Sequence, residues 1–166
     1  MMIRAIFFLS VLSASFISFA DSKIESSFDG DRALAHIYKQ VSFGPRTLDN
    51  PKAKAATLDF IGSYLEPLAT KLTVQPFSAN GLSGNNLWAS FINPKPHSNQ
   101  RIMLGAHWDT RPISDQESDS SKQHLPTPGA NDGGSGVAVL LELARIFAAN
   151  PPVSYTHLTL PTTPYV

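Results

Sequence analysis

The chain has no cysteine, so disulfides, thiolate metal ligands and a lipidated N-terminal cysteine are all unavailable to it. Any bound metal must be held by oxygen and imidazole donors. That set suits zinc in a catalytic rather than a structural site, because structural zinc usually relies on thiolates. A charge excess of either sign is also missing, since thirteen basic residues balance thirteen acidic ones. No Lys/Arg cluster interleaved with aromatics occurs, which removes the electrostatic footprint of a nucleic-acid binder. The longest largely apolar run, Ala5 to Phe19, is about 15 residues, short of the roughly 20 that a membrane span needs.

That run fits a secretory signal instead. Arg4 supplies a positive start, and Ser18-Phe19-Ala20 places small residues at the third and first positions before a cleavage point at Asp21. Removal of residues 1–20 would leave a secreted or periplasmic protein with no stable membrane insertion. The remainder of the 166 residues suffices for one domain and not comfortably for two; a 42% hydrophobic, 16% charged composition marks it as globular.

Periodicity then predicts the elements. Asp31 to Val41 carries Leu34, Ile37, Tyr38 and Val41 at helical spacing, with Asp29 or Asp31 as the cap. Asn50-Pro51 opens a second helix with Leu58, Ile61, Leu65 and Leu68 along one face, ending near Pro67. Lys71 to Phe77 and Asn86 to Ile92 alternate as two strands of a hairpin turned at Gly81-Leu82-Ser83-Gly84, and Pro76 marks the first as an edge strand. Arg101 to Ala106 reads as a strand buried on both faces, Ile113 to Thr127 as a long polar loop, and Val137 to Ala149 as a mostly buried helix. Val153 to Thr162 has no obvious place in this α/β pattern. It resembles the translation of a transposase-type sequencing adapter, so native sequence is expected to stop near Pro152 and residues 153–166 to be a non-native tail; a genuine strand with a Pro-rich end is the alternative.

Two segments concentrate the chemistry. Gly105-Ala106-His107-Trp108-Asp109-Thr110-Arg111-Pro112 follows the apolar strand, and Pro128-Gly129-Ala130-Asn131-Asp132-Gly133-Gly134-Ser135-Gly136 opens the apolar helix, where parallel α/β sheets usually present ligands. His107 can offer one ring nitrogen to a metal while Asp109 takes the proton of the other; a hydrogen-bonded loop histidine is the plainer alternative. Asp132 can cap the helix or bind metal, its small neighbours letting the backbone pass close to the site. Phosphate binding is disfavoured, because the glycine turn has neither the lysine and spacing of a P-loop nor a dinucleotide fingerprint. Trp108 reads equally as a wall of a substrate pocket or as packing, and Arg111 has Asp115, Glu117 or Asp119 within sequence reach.

Taken together, Leu104 to Pro112 and Pro128 to Arg145, supported by Phe43-Gly44-Pro45-Arg46 and the strand containing Asn86, resemble the zinc-aminopeptidase-like metallopeptidase family, and more closely its glutaminyl-peptide cyclotransferase branch. The resemblance implies an α/β fold, the N-terminal part of a mixed, largely parallel sheet flanked by helices, with residues 21–152 forming that half of a catalytic domain. It matches Asp132 to a zinc-binding carboxylate, His107 to a ligand of a second ion in two-zinc relatives, and Asp109 to the aspartate that supports this histidine. The implied cofactor is zinc and the implied substrates are peptide or protein N-termini. The implied reaction is conversion of N-terminal glutamine to pyroglutamate with loss of ammonia; the alternatives are a zinc aminopeptidase and a non-catalytic binding domain of the same fold. The resemblance puts a further glutamate, a histidine and a general-base glutamate downstream. No acidic residue follows Glu142 and the one later imidazole is His157, so the polypeptide as given is expected to bind zinc weakly and to be inactive.

Overall fold

A computed structural model describes residues 27–79, 81–95, 100–152 and 155–161; the expected signal segment lies outside them. Helix α1 spans Gly30–Ser42, and its Asp29 cap accepts a hydrogen bond from the Arg32 amide, satisfying one of the orphan donors of the first turn. Helix α2 spans Pro51–Leu65 with Asn50 accepting from the Ala53 amide and proline in the first turn, as that dipeptide predicts.

The buried face of α1 differs from the expected one. Ala33, His36 and Gln40 are buried against α3, while Leu34 is 44% and Tyr38 67% exposed. The reason lies in polar partners on α3: the Gln40 amide donates to the Gly134 carbonyl at 3.1 Å, and the Asp29 amide donates to Glu142 Oε1 at 2.9 Å. These bonds fix the helix rotation against its apolar stripe.

Strand β1 (Lys71–Ala79) pairs antiparallel with β2 (Leu82–Phe91), and β1 is an edge strand, as Pro76 requires. The closing pair is Ala79↔Leu82, so the turn is tighter and earlier than expected, with Gly81 at φ 78°. Asn-Gly is the strongest two-residue hairpin signal, and glycine takes the positive φ without steric cost. On β2, Leu87, Ala89 and Phe91 point into the core as alternation predicts.

Strand β3 (Arg101–Gly105) is the other edge of the sheet, not a strand covered on both faces: Ile102 is 49% and Met103 62% exposed. Between β3 and β2 runs β4 (Tyr155–Leu160), giving the order β1-β2-β4-β3. It pairs antiparallel with β2 and parallel with β3. A segment without a place in the sequence pattern thus holds a central position, with Leu158 and Leu160 fully buried. Its ladder pairing is made by backbone groups, and Leu158 and Leu160 seat it in the core. The result is a mixed sheet with flanking helices in which, among the described residues, one of the three strand pairings is parallel.

Helix α3 (Gly134–Ala149) packs Val137, Leu140, Leu141 and Ala144 into the core with Ile61 and Leu65 of α2, the inward residues of β2 and β4, and Trp108. Each fully buried large apolar side chain contributes roughly 1.5–3 kcal/mol relative to exposure, so this seam of α3 against the sheet anchors the start of the helix. Among the described residues, no helix is long and apolar enough to cross a membrane.

Candidate functional site

β3 ends at Gly105, but the chain stays bound to the end of β4 through two more amides. Ala106 N–H donates to the Thr159 carbonyl at 3.1 Å and Trp108 N–H to the Pro161 carbonyl at 3.3 Å. His107 lies between these tethers, at the C-terminal ends of the parallel pair, where open α/β sheets gather ligands. Trp108, its neighbour, is fully buried in the core, with its indole N–H donating to the Asn85 carbonyl at 3.2 Å. In this chain the ring contacts packing atoms and offers no face to solvent.

Asp132 reaches the same place from the loop that opens α3. Gly129 and Gly133 hold positive φ, 67° and 86°, and the backbone approach leaves no room for side chains. A Cβ on Gly133 would stand 3.0 Å from the carbonyl oxygens of both His107 and Asp109, and one on Gly134 would stand 2.5 Å from the Gly129 carbonyl oxygen. The glycines are therefore what permits the two loops to touch.

The contact places His107 Nε2 3.0 Å from Asp132 Oδ1, with His107 Nδ1 3.5 Å from Asp109 Oδ1. The second distance suits an ion pair, but Nδ1 makes no hydrogen bond there. Asp109 is largely covered at 13% side-chain exposure, whereas His107 and Asp132 remain accessible at 37% and 54%. The structure thus brings the three residues together, with His107 and Asp132 open and Asp109 inside. Among the described residues, no group of three or more His, Cys, Asp or Glu side chains is arranged to hold a metal ion.

Arg111 resolves its expected choice of partners in favour of Asp115, at 2.6 Å, and its Nε lies 4.0 Å from Asp132 Oδ2. The long polar loop does border the site: a cavity of about 420 Å³ opens beside Asp132, lined by Arg111, Ser114 to Glu117, Thr127 and Pro128. Exposure on both sides of the Arg111–Asp115 pair makes it a weak contributor to stability.

Sequence reasoning gave Arg46 no role of its own, yet it is fully buried and touches both loops. Its Nε donates to the Trp108 carbonyl at 3.1 Å, Nη1 to the Pro128 carbonyl at 2.7 Å and Nη2 to the Gly129 carbonyl at 2.8 Å. Burial works against its charge; Asp109 and Asp132 work for it, without fully offsetting the burial. The available signal was its place after Gly44-Pro45, a loop that also accepts the Asn50 side-chain amide at the Pro45 carbonyl.

Comparison with known proteins shows what the chain is similar to. Residues 86–160 match the model of peptidase family M28. The chain is similar to a glutaminyl cyclase of Bacteroides thetaiotaomicron whose structure was solved with bound N-acetylhistamine: 35% identity, TM-score 0.74, covering 84% of this chain and 48% of that one. It is similar to a leucine aminopeptidase precursor of the same species at 38% identity and TM-score 0.72, covering 81% and 47% of the two chains. A Zn-dependent exopeptidase of Parabacteroides distasonis gives 37% identity and TM-score 0.70, covering 81% and 46%. The chain spans just under half the length of each of these proteins. The matched residues 86–160, which hold most of β2, His107, Asp109, Asp132, α3 and β4, are thus similar to peptidase family M28.

Proposed function

We propose that the protein carrying this chain is a secreted, zinc-dependent glutaminyl-peptide cyclotransferase, acting on the N-termini of peptides or proteins. The observation that carries this reading is the 3.0 Å approach of His107 Nε2 to Asp132 Oδ1 at the ends of β3 and the start of α3, in a frame similar to a glutaminyl cyclase. The 3.0 Å separation lets both side chains face one bound group. The donors fit zinc: Asp132 would supply one of the three protein ligands that a catalytic zinc ordinarily takes, and His107 would add an imidazole where a second ion binds. Asp132 is the carboxylate ligand in this reading, His107 is a ligand where two ions bind, and Asp109 sets the ring of His107 from behind.

Zinc, when bound, would supply Lewis acidity toward the side-chain amide of the substrate glutamine. The neutral α-amine attacks Cδ of that amide: the N–Cδ bond forms, the Cδ–Nε2 bond breaks, and one proton passes from the α-nitrogen to the departing nitrogen. Pyroglutamate and ammonia result. Arg46 and the glycines keep the two loops in contact, and Asp109 stands behind His107, 3.5 Å from Nδ1.

The leucine aminopeptidase precursor and the Zn-dependent exopeptidase support a second reading, hydrolysis of the first peptide bond. Incubating the full-length protein with a Gln-initiated peptide separates them. Ammonia and pyroglutamate, abolished by a chelator and restored by zinc, are the expected products. Free amino acid instead establishes an exopeptidase, and zinc binding with neither product establishes a binding domain.

A further inference from the structure

We infer that Arg46 is the positioning residue of the His107–Asp132 pair, an inference that rests on the zinc reading above for its metal readout only. Its guanidinium spends all three nitrogen positions on carbonyls that belong to the two site loops. The Trp108 carbonyl lies between His107 and Asp109; the Pro128 and Gly129 carbonyls lie just before Asp132. A backbone bond from the Thr110 amide to the Arg46 carbonyl, 3.4 Å, adds a fourth tie on the first loop. The rigid, planar fork of arginine matches divergent acceptors in a way that the single ammonium of lysine does not.

The electrostatics point the same way. A fully buried cation usually pairs directly with a carboxylate, because desolvation of an unpaired charge is costly. Here the contacting acceptors are neutral carbonyls, and Asp109 and Asp132 act on Arg46 only as nearby charges. Asp109 and Asp132 both approach His107, and Asp132 also faces Arg111. Arg46 adds a positive charge beside the two carboxylates while its nitrogens bond to the loop carbonyls. It sits at the end of α1 beyond Gly44 (φ 92°), so the packing of α1 against α3 also sets where this guanidinium stands.

The test compares Arg46→Met, Arg46→Gln and Arg46→Lys with wild type in the full-length protein. Amide hydrogen exchange is followed by mass spectrometry, and affinity for Zn²⁺ alone is measured by competition with a chelator. In Arg46→Lys, which keeps the charge and the alkyl stem, exchange in 106–112 and in 128–134 is expected to accelerate at least tenfold together, with α2 still protected. Zinc affinity falls at least tenfold in all three variants. Unchanged exchange in either loop overturns the assignment, as does loss of protection spread evenly over α2 and the site, which marks a purely structural role. If charge alone mattered, Arg46→Lys would match wild type and Arg46→Met would bind zinc more tightly; that result also overturns it. Should Arg46→Met not fold, the lysine variant decides. A wild-type protein that binds no zinc sinks the zinc reading, and the exchange data still decide the role of Arg46.

Discussion

Gly133 stands so close to His107 that a Cβ on it would lie 3.0 Å from the His107 carbonyl oxygen and 3.2 Å from the ring carbon Cε1. The neighbour on one side is backbone tethered to β4, so it cannot yield as a flexible side chain would. Gly133→Ala should therefore combine the left-handed backbone penalty of φ 86°, about 1–2 kcal/mol, with a forced separation of the two loops. The expected outcome is a lower urea midpoint with an unchanged denaturant slope. A fully stable alanine variant would show that the loops are not locked together as described.

Glu142 should make the fold acid-sensitive. Burial pushes its carboxyl pKa up, but hydrogen bonds from Arg145 and the Asp29 amide, with the charges of Arg145 and Arg32, outweigh burial and hold it below its ordinary 4.5. A folded-state pKa below the unfolded one means that the stabilisation is complete above about pH 4.5 and is lost as pH falls through the folded value. Glu142→Gln leaves Arg145 without its carboxylate partner and should cost about 3 kcal/mol near neutral pH, the low end for breaking a buried pair because Arg145 keeps 16% exposure. Chemical denaturation across pH 3–7 checks this: the variant should be less stable at pH 7 and flatter below pH 4.5 than wild type.

His36 contributes at a higher pH. It is buried between α1 and α2, with its ring 4.6 Å from that of Tyr64 in an edge arrangement. Burial, the largest influence, lowers its pKa from 6.5; Glu142 opposes this and Arg32 adds to it. The folded protein therefore prefers the neutral ring. Stability is complete above pH 6.5 and declines as pH falls from there toward the folded value. His36→Phe, which keeps an aromatic ring in the same seat, should remove the part of the pH dependence that lies just below 6.5 while leaving the limb due to Glu142. A wild-type curve flat from pH 7 to 5.5 would refute the assignment.

These ionisable contacts also show where sequence reading reached its limit. Local signals were legible: Asn50-Pro51 starts α2, Pro76 confines β1 to an edge, and the alternation of Leu87, Ala89 and Phe91 fixes the inward face of β2. The two site segments were legible too, because His107 and Asp132 each sit at a boundary between an apolar element and a loop, and the structure brings them to 3.0 Å. What failed was anything set by a distant partner. The rotation of α1 depends on a Gln40 bond to a carbonyl 94 residues away, so its apolar stripe misidentified the buried face. An apolar run such as Ile102-Met103-Leu104 says that a strand exists, not how many neighbours it has. Arg46 stayed hidden because an arginine beside a Gly-Pro turn carries no periodic signal, and its three acceptors come from loops 62 to 83 residues later.

Trp108 separates packing from substrate contact. Its indole is fully buried, belongs to the core seam with Leu87, Leu158 and Val137, and donates to the Asn85 carbonyl from β2. Trp108→Phe removes that bond and leaves a void, so it should destabilise the protein by about 2 kcal/mol, combining a lost hydrogen bond of ~1 kcal/mol with incomplete repacking. Because Arg46 holds the Trp108 carbonyl through the backbone, the substitution leaves the tether between the loops in place. KM for a Gln-initiated peptide should then stay within twofold of wild type at a temperature where both are folded, while the thermal midpoint drops. A large rise in KM with little loss of stability would assign the indole to the substrate pocket instead and would require the loop after β3 to present it differently when substrate binds.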